Sequence, residues 1–118
     1  MTVKIYEYAK CSTCRKALKF LDDKKIAYAK VPIVDSPPTP AELVAMLKFV
    51  GGDLKRLFNT SGELYRELKI SEKLKTMSLD DALKLLAKHG KLVKRPFVLA
   101  KSTGLVGFKE DEWRKVFG

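Results

Sequence analysis

The chain has 118 residues, 46% of them hydrophobic and 32% charged, which suits one packed domain and excludes a disordered or collagen-like chain. Its Lys and Arg number 24 against 14 Asp and Glu, a formal charge of +10, yet they are scattered, with Lys91, Lys94 and Arg95 the densest group; a solvated basic surface is expected, and direct nucleic-acid binding is not. No stretch approaches the ~20 apolar residues of a membrane span, and Met1 to Tyr8 lacks a signal-peptide apolar run, so a cytoplasmic protein with no membrane partner is expected.

Val3 to Tyr8 alternates β-branched and aromatic residues with polar ones and reads as a strand that ends at Ala9-Lys10. From Ser12 the apolar spacing changes to three and four residues through Cys14, Ala17, Leu18 and Leu21, predicting a helix to about Lys25. Ala27 to Val34 reads as a second strand, and so short a β-α-β unit brings its strands together in parallel through a right-handed crossover.

Ser36-Pro37-Pro38-Thr39-Pro40 breaks the strand, while Thr39, Pro40 and Glu42 form a capping box with proline at the first helical position. The helix that follows buries Leu43, Met46, Leu47 and Val50 and stops at Gly51-Gly52. Short helices are expected at Leu54 to Phe58, at Glu63 to Leu68 after Ser61, and at Leu79 to Lys88 after Ser78, with Asp81 completing the cap. His89-Gly90 ends the last of these, His89 as a helix-end residue.

From Val93 a period of two returns. Phe97 to Ala100 and Leu105 to Phe108 read as antiparallel strands joined by Lys101-Ser102-Thr103-Gly104, and Glu110 to Phe117 as a closing amphipathic helix. Trp113, Tyr65 and Phe97 stand at core spacing. The order is β-α-β, helical segment, β-β-α, which gives a four-stranded mixed sheet with helices against it. Residues 1–118 are expected to form a single domain with a helical insertion at about 37–90.

The two cysteines, Cys11 and Cys14, share one Cys-Ser-Thr-Cys motif, which excludes a disulfide scaffold. Cys-x-x-Cys between a first strand and its helix reads as a thioredoxin-like redox motif. Cys11 falls at the helix start, where free N–H groups and the helix dipole favour a thiolate, with Lys10 and Arg15 adding positive charge nearby. It is the expected nucleophile. Cys14, one turn later, is the expected resolving thiol. Two blander readings remain open: half a zinc site, for which His89 is the only additional Cys or His ligand in the chain, and a pair of ordinary buried thiols, which the polar Ser12-Thr13 between them disfavours.

The run from Tyr8 to Ala17, containing Cys11-Ser12-Thr13-Cys14-Arg15, resembles the start of the arsenate reductase (ArsC-like) and Spx family. The resemblance continues through Asn59-Thr60-Ser61-Gly62 with Tyr65 and Arg66, Leu92 to Pro96, and Val106 to Glu112. It implies a thioredoxin (glutaredoxin-like) α/β fold with an inserted helical segment. In the glutathione-linked reductases the cysteine at the position of Cys11 takes the oxyanion amid three arginines. Here Arg95 matches one of them, Asn59 stands where another is expected, and Phe108 or Lys109 lies near the third. Those reductases usually lack a counterpart of Cys14, so weak or absent arsenate turnover is expected. The Spx regulators share the Cys-x-x-Cys as a thiol switch on a protein that binds the RNA polymerase alpha subunit. Gly51-Gly52 lies near the glycine-bearing surface they use, while this sequence ends at Gly118 without their basic tail.

The short arsenate reductase-like members are therefore the nearest likeness. By that resemblance Cys11 attacks, Cys14 resolves and Arg95 holds an anionic group. Lys10, Ser12, Thr13, Arg15, Asn59 and Pro96 line the substrate. No metal or bound cofactor is expected, and glutathione, glutaredoxin or thioredoxin restores the pair. A redox-sensing regulator bound to RNA polymerase is the alternative. The resemblance also places at Arg95-Pro96 the cis-proline that faces the cysteines, with Arg95 on the Cys11 side.

Overall fold

The computed structural model describes residues 3–8 and 10–117. Strand β1 (Val3–Glu7), helix α1 (Ser12–Asp23) and strand β2 (Tyr28–Pro32) form the expected β-α-β unit, with β1 and β2 parallel from Val3 opposite Tyr28 to Glu7 opposite Pro32. The predicted end of the first strand includes Ala9, which lies outside the described residues. Helix α1 closes at Asp23 because Lys25 adopts a left-handed φ of 56° and its N–H turns back to the Asp22 carbonyl at 3.0 Å. Strand β2 is an edge strand, and its exposed Lys30 and Pro32 discourage further pairing.

Strands β3 (Phe97–Leu99) and β4 (Gly104–Val106) pair antiparallel, and β3 pairs antiparallel with β1, giving the sheet order β2-β1-β3-β4. Gly104, expected in the turn, is instead the first residue of β4. The tight link is closed by Ala100 N–H donating to the Thr103 carbonyl at 2.8 Å, and a side chain at Gly104 would run into Met46 and Phe49. This is an α/β fold with a four-stranded mixed sheet covered on both faces, the thioredoxin-like arrangement the sequence implied.

Alternation along β1 sorts the two faces. Val3 and Ile5 pack with Ala17, Phe20 and Leu21 of α1, with Val98, and with Trp113 of α6 (Glu110–Phe117). There Phe20, Phe108 and Phe117 surround the Trp113 ring at centroid distances of 5.0–5.7 Å. Tyr6 points the other way and joins Phe97, Val106, Leu43, Met46, Phe58 and Leu86 under the helical segment. Burying each large apolar side chain contributes about 1.5–3 kcal/mol before entropy is counted, so both faces are needed to hold the sheet.

Between β2 and β3 run α2 (Pro40–Phe49), a 3-10 turn (Leu54–Leu57), α3 (Glu63–Glu67), α4 (Ile70–Lys73), α5 (Leu79–Lys88) and a 3-10 turn (Gly90–Leu92). The capping box on α2 forms as read: Glu42 N–H donates to Thr39 Oγ1 at 3.2 Å, and Thr39 N–H donates to the Glu42 carboxylate at 3.0 Å. Only half a box forms on α5, where Asp81 N–H donates to Ser78 Oγ at 3.1 Å. The expected Ser61 cap is corrected to Gly62, which offers no side-chain acceptor. Helix α4 was not anticipated: it is four residues long and begins from Lys69 at a left-handed φ of 54°, too short for a periodic signal. Gly90 lets its turn dock on the end of β2, since a Cβ there would lie 1.9 Å from the Ile33 carbonyl oxygen.

Candidate active site

Cys11 is the N-cap of α1, with extended backbone angles (φ −95°, ψ 115°), and its own N–H donates to the Tyr8 carbonyl at 2.9 Å. Its sulfur takes the place of the usual oxygen acceptor and receives the Cys14 N–H at 3.3 Å. No acidic residue occupies the first turn of α1, so nothing there opposes the positive end of the helix.

The two thiols are set apart by their surroundings. Partial burial pushes the Cys11 thiol up, but the Cys14 thiol and N–H, the Arg95 charge and the Thr13 N–H outweigh it, leaving Cys11 below the ordinary thiol value. Cys14 is fully buried, and that burial first, helped by the neighbouring Cys11 sulfur, pushes it up to about 12. Both cysteines are free. The pair is asymmetric, with an ionisable outer sulfur and a protonated inner donor.

Arg95 arrives from the segment that leads into β3, the strand beside β1. The isolated bridge between Phe58 and Val93, with Asn59 N–H donating to Leu92 at 2.7 Å and Lys94 N–H to Leu57 at 2.8 Å, holds the two approaching segments together. The Arg95-Pro96 peptide is cis, and the guanidinium lies over the Tyr8 ring at 4.8 Å. Behind it the Pro96 carbonyl accepts from Gly107 N–H at 2.9 Å, and the Gly107 carbonyl accepts from the Trp113 indole at 3.1 Å. Gly107 makes this link at φ 72°, where a side chain would be strained.

The result is a cleft of about 340 Å³ lined by Cys11, Thr13, Asn59, Arg95, Lys94 and Lys109, with Ser61 and Phe108 at its walls. Of the residues singled out in the sequence, Cys11, Thr13, Arg95 and Asn59 meet here, with Cys14 beneath Cys11 and Pro96 buried behind Arg95. Ser12, Lys10 and Arg15 are exposed and do not line it. The cation expected from Lys10 and Arg15 is supplied instead by Arg95, because side chains at the exposed start of α1 extend into screening solvent. The sequence reading missed Tyr8 as the platform for Arg95. Its parity with Tyr6, two residues earlier on the strand, was the available signal. Lys94 was legible only as part of a basic cluster, since its partners in the cleft come from three other segments.

Among the described residues, no group of three or more His, Cys, Asp or Glu stands together to hold a metal, and no helix is long and apolar enough to cross a membrane.

The chain is a thioredoxin-like α/β domain with two free cysteines at the start of its first helix and Arg95 beside the outer one. The ArsC family pattern matches residues 6–116, and the chain belongs to that family. It is similar to the uncharacterized protein YusI of Bacillus subtilis, 45% identical over 115 residues, 98% of each chain. It is also similar to the global transcriptional regulator Spx 2 of Bacillus anthracis, 29% identical over 113 residues, 96% of this chain and 85% of that protein. A crystal structure from Streptococcus mutans, described as a possible arsenate reductase, superposes with a TM-score of 0.86 at 38% identity, covering 95% of this chain and 97% of that one.

Proposed function

We propose that this protein is a cytoplasmic thiol-disulfide redox protein, acting as one thioredoxin-like domain, in which Cys11 is the nucleophile and Cys14 the resolving thiol. The observation that carries this reading is the asymmetry of the pair: the N-cap Cys11 sulfur, below its ordinary value, accepts the backbone N–H of Cys14 at 3.3 Å, while the buried Cys14 thiol is pushed up to about 12.

The Cys11 thiolate attacks one sulfur of a substrate disulfide R–S–S–R′, forming Cys11–S–S–R and releasing R′–S⁻, which takes a proton from solvent. Part of what holds the Cys14 proton is the Cys11 sulfur itself, through its hydrogen bond and charge, so consuming that thiolate frees Cys14 to ionise. Cys14 then attacks Cys11 Sγ, closing the internal disulfide and expelling R–S⁻. The substrate gains two electrons and the dithiol loses two. Two equivalents of an external thiol, glutathione by way of glutaredoxin or a thioredoxin dithiol, return them. Arg95 supports the anionic form of Cys11 and an anionic group on the substrate, with Thr13 and Asn59 beside it.

Intact-mass and turnover measurements with disulfides, peroxides and arsenate test this. Mild oxidant is expected to remove two hydrogens from the wild type, a loss that Cys14→Ser abolishes, and Cys11→Ser is expected to reduce exchange to baseline. A wild type that gives only dimers or sulfinate, or thiols that alkylate with one shared midpoint, would overturn it.

The similarity to a global transcriptional regulator favours a second reading, in which the same dithiol is a redox switch on a protein that binds RNA polymerase through its alpha subunit. Retention of RNA polymerase alpha subunit on the reduced or oxidised protein, with no disulfide turnover, is the result that selects it.

A further inference from the structure

The cysteine cleft continues in two directions, and their charges differ. On one side Thr13 and Phe108 lead into a broad groove of about 560 Å³ along α1, where Lys16 and Lys19 are offset by Asp23 and Glu110. On the other, Lys94, Val106 and Lys109 are shared with a second cleft of about 270 Å³ beside the 3-10 turn at Leu54–Leu57. That cleft adds Lys55 and Arg56, so four cations face the single carboxylate of Asp53. Arg56 reaches Glu112 at 3.7 Å across half-exposed surface, a weak contact, whereas no carboxylate lies within ion-pair range of Lys55, Lys94 or Lys109 among the described residues. The larger groove thus sets two carboxylates against two lysines, with Glu110 also in an exposed contact to Arg114 at 3.3 Å, while the smaller one sets four cations against one carboxylate.

We infer that the cleft beyond Lys94 and Lys109 is the subsite for an acidic arm of the disulfide substrate, so that the preferred substrate is a peptide disulfide with carboxylates next to its cysteine. This rests on the thiol-disulfide reading above and adds to it both a substrate class and a direction. A cysteine sulfur seated at Cys11 places the adjoining acidic residues in the concave region between Asn59 and Lys109, where low-dielectric walls focus the field of the lysines. The uncharged or basic side of the substrate lies over the balanced groove along α1. Repulsion from the same lysines disfavours cationic disulfides, which gives the site discrimination as well as attraction.

The test compares two synthetic disulfides, the dimers of acetyl-Cys-Glu-Glu-amide and acetyl-Cys-Gln-Gln-amide, which differ in charge and hardly in shape. At low ionic strength the wild type is expected to reduce the Glu dimer with kcat/KM about tenfold above the Gln dimer, mostly through KM, and salt is expected to compress that ratio. The double variant Lys94→Gln with Lys109→Gln is expected to bring the ratio down to about twofold, whereas Lys16→Gln with Lys19→Gln leaves it in place. Circular dichroism checks that both variants are folded. Equal rates for the two dimers in the wild type, or a preference abolished by the Lys16 and Lys19 changes rather than the Lys94 and Lys109 changes, overturns the subsite while leaving thiol exchange standing. If neither dimer is reduced, the exchange reading itself fails. The subsite is then judged by calorimetric binding of the reduced Glu peptide to Cys11→Ser, where no preference over the Gln peptide overturns it.

Discussion

Two polar clusters flank strand β1, and they are built on opposite principles. On the α2 side, Glu42 accepts from Tyr6 Oη at 2.6 Å, Lys4 Nζ at 2.9 Å and Thr39 N–H at 3.0 Å, while the Lys4 ammonium also lies over the Tyr6 ring at 4.9 Å. Burial pushes the Glu42 carboxyl up, but those donors outweigh it and hold it below the usual carboxylate range. Every group there has its partner inside the fold, and the cluster fastens α2 to the sheet. At the other end of β1, Arg95, Lys94 and Lys109 line a cleft in which, among the described residues, no carboxylate pairs with them, and the group beside them is the Cys11 thiol, held below its ordinary value. A network that closes on itself stabilises; one left electrically open beside a nucleophile is available for a ligand.

The largest expected effect sharpens this contrast by adding to the open side. Each charge-assisted hydrogen bond to an anion is worth about 1.5–3 kcal/mol, so Asn59→Arg is expected to raise arsenate affinity by about one to two decades, read by calorimetry, over a wild type with weak or no turnover in a glutathione-coupled assay. Efficient wild-type turnover would break the argument. On the closed side, Glu42→Gln is expected to cost about 2 kcal/mol in urea unfolding, because three donors lose a charged acceptor, with the Cys11 alkylation profile unmoved. The mirror experiment is Arg95→Gln: the Cys11 alkylation midpoint moves up and the rate at neutral pH falls about threefold, while stability changes by under about 1 kcal/mol. Should either variant produce the other's signature, the division between the clusters is wrong.

The smallest effect is in the pH dependence of stability. Glu42, with its folded value depressed, contributes stability that is present above the usual carboxylate range and is lost as pH falls through that depressed value, a slope Glu42→Gln should flatten. Cys11 has the same sign in the thiol range: stability rises with pH between its depressed folded value and the ordinary one. Cys14 has the opposite sign. Held protonated up to about 12 when folded, it makes stability fall as pH rises above about 8.5, and Cys14→Ala should remove that decline in urea midpoints measured across the range.

Much of this was legible in the chain itself. The change of period at Ser12, the Thr39-Pro40-Glu42 box and the short link after Ala100 are local signals, and each produced the element it announced, because period, capping and turn chemistry are decided within a few residues. The four-residue α4 and the cap at Gly62 lay below that resolution. Cys11 at the start of α1 followed from the same local logic, and so did the direction of its thiol shift. The cation responsible did not. Lys10 and Arg15 are near in sequence but exposed, whereas Arg95 acts from 84 positions away, brought over Tyr8 because β3 lies beside β1 and the Phe58–Val93 bridge fixes the approach. The sequence by itself determined most of the elements, the dithiol, and the parallel first and antiparallel last strand pairs, whereas the strand order β2-β1-β3-β4 came from the structure. Arg95 was placed on the Cys11 side only by family resemblance, and tertiary structure decided that Lys10 and Arg15 do not line the cleft while Lys94 and Lys109 do. Coulomb interactions depend on distance and solvent exposure, and neither is set by position along the chain.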